Sequence, residues 1–216
     1  MAELGFDCLD VSSDRYAAGP TLTFKLRISE ISGERVHAIA LRCQIRIEPQ
    51  KRRYAPAEVD RLNDLFGDSS RYADTLKPLQ LANTSAMVPS FSGSVEVDVP
   101  VPCTYDMEIA STTYFHALED GEVPLILLFS GTLFTKGAGG FSVSQVPWHK
   151  EATYRMPIAV WRSMMDAFFP GAAWLRLSRP TMEALGAYKN ALALPTWEAA
   201  ISALLQEVAR PADLAP

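Results

Sequence analysis

Between Pro20 and Ile47 the sequence alternates apolar and polar residues in two successive runs, and that period of two limits the fold more than any other feature. In "PTLTFKLRI", Leu22, Phe24, Leu26 and Ile28 fall on one face while Thr21, Thr23, Lys25 and Arg27 fall on the other. In "VHAIALRCQIRIEP", Ile39, Leu41, Cys43, Ile45 and Ile47 alternate with Arg42, Gln44 and Arg46. Successive side chains of a strand point to opposite faces, so each run reads as a half-buried strand. The turn signal at Ser32 to Glu34 between them suggests a hairpin.

Strand character continues in "SVEVDVPVP", where Pro100 and Pro102 cannot donate to a ladder and point to an edge strand or one that changes sheets. "STTYFHALEDGEVPLILLFSGTLFTK" and "GFSVSQVPWHKEATYRM" read as further strands joined at "KGAGG". The long helices of a parallel βαβ pattern are missing, which favours an antiparallel sandwich or partly closed barrel. One helical insertion, near 56–66, opens with Pro56, carries Val59, Leu62, Leu65 and Phe66 on one stripe, and ends at Gly67.

The pattern changes after Met156. "IAVWRSMMDAFF" places Trp161, Met164, Met165, Phe168 and Phe169 on one helical face before Pro170-Gly171. A short strand near 174–178, in "WLRLS", precedes two helical segments. The second has Thr196 as its N-cap and an apolar stripe of Trp197, Ala200, Ile201, Leu204, Leu205 and Val208. The expected class is α+β: an antiparallel β-sandwich-like domain over 1–156 and a helical, ribbon-helix-helix-like part over 157–216.

Composition narrows the function classes. The formal charge is -5 at pH 7, without the basic excess that polyanion binding draws on, so nucleic acid is not the expected partner. Cys8, Cys43 and Cys103 are widely spaced with no CxxC and read as buried hydrophobes of a reducing compartment. The N-terminal "MAELGFDCLD" lacks a signal-peptide pattern. "VPLILLF" is far short of the roughly 20 apolar residues that cross a bilayer. A cytoplasmic protein without membrane insertion is expected.

No catalytic chemistry stands out. His37, His116 and His149 have no paired metal-ligand spacing, and Glu119, Asp120 and Glu122 straddle a glycine turn. "KGAGG" lacks the phosphate-loop fingerprint and joins two strands, and no GxSxG elbow is present. An enzyme would need the fold to assemble His116, Glu119 and Tyr114 in one pocket. No cofactor and no metal are implied. The one basic cluster, Lys51, Arg52 and Arg53 with Tyr54, is a candidate surface for an acidic partner, set against Glu58, Asp60 and Asp64 just downstream.

The segment "WLRLSRPTMEALGAYKNALALPTWEAAISALL" resembles the ribbon-helix-helix family in the order and lengths of its elements. That resemblance implies strand pairing between two copies, with Trp174, Arg176 and Ser178 on the outward ribbon face, where some members read DNA. The near balance of acids and bases from Gly171 onward, and Trp174 at a base-reading position, weigh against DNA. "HAIALRCQIRIEPQKRRYA", "VPCTYDMEIASTTYFHALEDGEVPLILLFSGTLF" and the C-terminal segment are also similar to an uncharacterised actinobacterial family. Its members are often associated with high-affinity nickel-iron hydrogenase gene clusters, which implies an accessory role. The expected function is a non-catalytic interaction or accessory protein with an unidentified protein partner, whose C-terminal part either self-associates into a homodimer or packs on the chain's own β domain. A DNA-binding regulator is the alternative.

Overall fold

A computed structural model describes residues 2–103, 109–137, 140–171 and 177–209. They form two antiparallel sheets of three and five strands, with six helices among the described residues. The chain divides into two compact units, 1–171 and 172–216.

In the first unit, β1 (Leu4–Ser13), β2 (Thr21–Glu30) and β5 (Ser94–Pro102) make the smaller sheet in the order β1-β2-β5. The larger sheet contains β3 (Val36–Ile47), β4 (Leu79–Val88), β6 (Glu122–Gly137), β7 (Gly140–Gln145) and β8 (Glu151–Pro157). Its order is β4-β3-β6, and the 16-residue β6 carries two partners on its far side. The first half of β6 pairs with β8 and the second half with β7.

The two alternating runs therefore lie in different sheets. β2 pairs with β1 and β5, whereas β3 pairs with β4 and β6, so Glu30 to Val36 crosses between sheets instead of closing a hairpin. Alternation records only that one face is buried, and both strands bury theirs in the same core. Leu22, Phe24, Leu26 and Ile28 join Ile39, Leu41, Ile45 and Ile47 in one cluster. The rings of Phe6 on β1 and Phe129 on β6 stack across it with centroids 4.3 Å apart. Each fully buried large apolar side chain contributes about 1.5–3 kcal/mol before chain entropy is subtracted.

The crossover has its own fastening. The buried Glu30 carboxylate accepts from the backbone N–H groups of Glu3, Ser32 and Gly33, at 2.9–3.0 Å, and from the Ser32 hydroxyl. β5 is an edge strand, with Pro100 and Pro102 opposite Thr23 and Thr21 of β2. Its open side approaches β4, where Thr84 donates to the Pro100 carbonyl at 3.1 Å.

A group of helices packs together beside β4 of the larger sheet. α1 (Pro56–Phe66) matches the sequence expectation at both bounds, and it buries Leu62 and Phe66. A four-residue turn, α2 (Tyr72–Thr75), leads toward β4. α3 (Ile109–Ala117) replaces the strand expected over "STTYFHA". Its β-branched and aromatic residues favour strands locally. Burial of Tyr114, Phe115, Ala117 and Leu118 in this region overrides that preference, because a helix surrounded by apolar contacts shows no polar face in its sequence.

α4 (Ile158–Phe168) also belongs to the first unit: Ile158, Trp161 and Met164 are in the core, and the helix packs on β1, β2 and β8. The division therefore falls near Gly171 instead of Met156. The second unit contains α5 (Arg179–Ala191) and α6 (Trp197–Ala209), which pack on each other. Of the strand expected near 174–178, residues 174–176 lie outside the described residues. Leu177 and Ser178 are not in a strand, and Ser178 is the N-cap of α5.

Candidate interaction surface

The basic cluster after β3 sits in a short helical turn, Pro49–Lys51, and the extended residues that follow. Its four side chains have different surroundings. Lys51 Nζ lies 2.6 Å from Glu48 Oε2. Arg52 is turned inward: Nη2 meets Glu58 Oε1 at 2.6 Å and donates to the Asp120 carbonyl at 2.6 Å, while Nη1 donates to the Glu122 carbonyl at 3.0 Å. Tyr54 donates to the Pro49 carbonyl at 2.8 Å and shares a 2.8 Å hydrogen bond with the Tyr114 hydroxyl. Arg53 is exposed.

Glu58 completes this knot. Its Oε1 also accepts from the Glu119 N–H at 2.8 Å, and its Oε2 accepts from the Ala55 N–H at 3.0 Å, closing the first turn of α1. Two further arginines hold the same loop: Arg61 reaches the Ala117 carbonyl and the Glu119 carboxylate, and Arg162 reaches the Leu118 and Glu119 carbonyls. The acid-rich "ALEDGE" is a turn gripped by three arginines from separate parts of the chain. The glycine turn and Arg52 are visible in the sequence as local features. Arg61 of α1 and Arg162 of α4 carry no local motif, and only tertiary structure brings them together on this loop.

His116, Glu119 and Tyr114, the residues considered for an assembled pocket, have separate engagements. His116 packs edge-on against Trp161 at 4.9 Å, Tyr114 bonds to Tyr54, and Glu119 pairs with Arg61. Burial pushes the Tyr114 hydroxyl up to about 12, and burial together with the neighbouring Tyr114 pushes Tyr54 upward, so both phenols stay protonated near neutrality. Among the described residues no group of three His, Cys, Asp or Glu side chains is placed to hold a metal ion. Nor is any described helix long and apolar enough to cross a membrane.

The second unit exposes what most proteins cover. In the α5–α6 pair, Met182, Leu192, Trp197, Leu205 and Val208 are exposed, and Leu185, Ile201 and Leu204 are only half-buried. Ala200 is the one buried side chain of this unit among the described residues. The hairpin is held by local contacts. Trp197 touches Gly186 and carries the Lys189 ammonium 5.6 Å over its ring, and Tyr188 bonds to Glu207 at 3.2 Å. Ser178 caps α5 by accepting from the Thr181 N–H at 3.3 Å, and Thr196 caps α6 by accepting from the Ala199 N–H at 3.1 Å. Trp174 and Arg176, the other expected ribbon-face residues, lie outside the described residues.

A family model spans this whole arrangement, matching residues 1–213. The chain belongs to DUF6084, a family of unknown function. No curated protein matches this DUF6084 chain. Solved structures give remote likenesses. A β-glucosidase from Kluyveromyces marxianus is 7% identical over 72% of this chain and 15% of its own, with a TM-score of 0.28. β-Glucosidase 3B from Thermotoga neapolitana, in complex with α-D-glucose, is 12% identical over 71% and 17%, with a TM-score of 0.26. A structural-genomics target, SoR45, is 7% identical over 83% and 93%, with a TM-score of 0.23. The DUF6084 chain thus spans less than a fifth of the two glucosidases.

Proposed function

We propose that this chain is a non-catalytic, cytoplasmic accessory protein, β-sandwich-like in its first unit, which self-associates through its C-terminal helical hairpin. The observation that carries this reading is the exposed apolar set on α5 and α6, Met182, Leu192, Trp197, Leu205 and Val208, in a unit with one buried side chain among its described residues. Two short helices gain most of their stability from a packed apolar face, and this pair has little such packing of its own. The similarity to proteins encoded near nickel-iron hydrogenases directs the search for a further partner toward that assembly.

Light scattering on the full chain tests the reading. The wild type is expected to have the mass of two copies, and Leu205→Asp with Val208→Asp the mass of one. An equal mass for both proteins would remove the hairpin from the interface.

A further inference from the structure

The outward faces of the two sheets differ in kind. On the smaller sheet, register places Asp7, Arg27 and Glu96 in one row and Asp10, Lys25 and Asp98 in another. Arg27 pairs with Glu96 at 2.9 Å and Lys25 with Asp98 at 3.6 Å, giving a charged face suited to water.

On the larger sheet, at the end away from α1 and α3, the outward rows are apolar. Inward-facing Ile39 and Leu41 alternate with Ala38, Ala40 and Arg42, so these last three face out. Register then aligns Met87 of β4 with Ala40 and Thr132, and Ala38 with Phe134 and Val143 of β7. Phe141 follows, opposite Lys136. Met87, Phe141 and Val143 are 69%, 63% and 60% exposed, with Ala38, Ala40 and Phe134 half-buried between them and with His37 and Lys136 against the Phe141 ring. Arg42 flanks this apolar band on one side and Lys136 on the other, and none of these outward strand residues is a carboxylate.

The complementary surface is on α6. At about 100° per residue, Trp197, Ile201, Leu204, Leu205 and Val208 share one half of the helix. Glu198 and Glu207, nine residues apart, fall about 180° from each other and border that half on either side. α6 has no basic residue. Glu207 is engaged by Tyr188 of α5 and Lys189 lies over the Trp197 ring, so Leu205 and Val208, bordered by Glu198, are the most open part of the stripe, and that border is opposite in charge to the cations beside the band.

Size agrees as well. Four strands span about 19 Å. Two packed helices of 13 residues measure about 20 Å by 20 Å. Two reciprocal contacts, counted on both partners, then cover about 1,600 Å², the area of a stable interface.

We infer that the α5–α6 hairpin of one copy docks on the band of Met87, Ala40, Ala38, Phe134, Val143 and Phe141 in a second copy, in a reciprocal two-fold exchange. This rests on the self-association proposed above and names the surface that receives the hairpin.

Complementation between full-length variants tests it. Met87→Glu with Val143→Glu damages only the band, and Leu205→Asp with Val208→Asp only the hairpin; all four residues are exposed, and circular dichroism confirms folding. Each variant alone is expected to sediment as a monomer, and an equimolar mixture, with one label, to form a mixed dimer through the one intact pairing. If the band variant stays dimeric while the hairpin variant is monomeric, hairpins pair with each other: the docking inference falls and self-association stands. If the hairpin variant stays dimeric, the proposed function falls. Two monomers that do not combine overturn the docking inference. Should the band variant fail to fold, Phe141→Ser takes its place and is expected to weaken dimerisation at least tenfold; an unchanged dissociation constant overturns the inference.

Discussion

The Arg52 guanidinium and the Glu58 carboxylate meet at 2.6 Å with side chains only 9% and 3% exposed. A buried pair is weak evidence of net stabilisation, because desolvation offsets most of the attraction. Breaking it is another matter. Arg52→Ala leaves Glu58 buried without its cation and removes the donors to the Asp120 and Glu122 carbonyls. The expected loss is about 3–5 kcal/mol in urea unfolding. Glu58→Ala should cost a similar amount, and the double variant much less than the sum, because the two share one interaction. Additive losses would show that the two residues act independently.

Acid should weaken the crossover between the sheets. Burial alone would raise the Glu30 carboxyl, but the Ser32 hydroxyl and the backbone N–H groups of Glu3, Ser32 and Gly33 outweigh it and hold the group below the usual glutamate range. A folded value below the unfolded one means that the contribution is complete above the unfolded value and is lost as pH falls through the folded one. Urea midpoints measured from neutral to acid pH should fall less steeply for Glu30→Gln than for the wild type, with Glu30→Gln less stable at neutrality. Parallel curves would contradict this role.

The three thiols are expected to be inert in the native protein. Burial pushes Cys8, Cys43 and Cys103 up to about 12, so the reactive thiolate is scarce at neutral pH. Ellman's reagent should react slowly with the folded chain and rapidly with all three thiols once denaturant exposes them. Fast labelling of the folded protein would contradict the packing described around them.

What the sequence made legible follows from how far each signal reaches along the chain. α1 was readable because Pro56, the stripe through Leu62 and Phe66, and Gly67 all lie within twelve residues. Pairing partners were not: β2 and β3 show the same alternation whether they face each other across a turn or across a core. α3 failed for a related reason, since Thr112, Thr113, Tyr114 and Phe115 prefer strands unless the surrounding core imposes a helix. At the candidate surface, the basic cluster was visible, but Arg52 is captured by carbonyls about seventy residues away, a distance no local pattern spans. The α6 stripe was legible as a face that needs a partner, and the band on the larger sheet was not, because Met87, Ala38, Phe134 and Val143 become neighbours only through register.

Self-association itself is tested most directly by sedimentation equilibrium of the wild-type chain over a wide dilution series. The expected result is a weight-average mass that rises with concentration from that of one 23.7 kDa chain to that of two and then levels off. A mass that stays at one chain throughout would contradict the proposed function and the docking inference together.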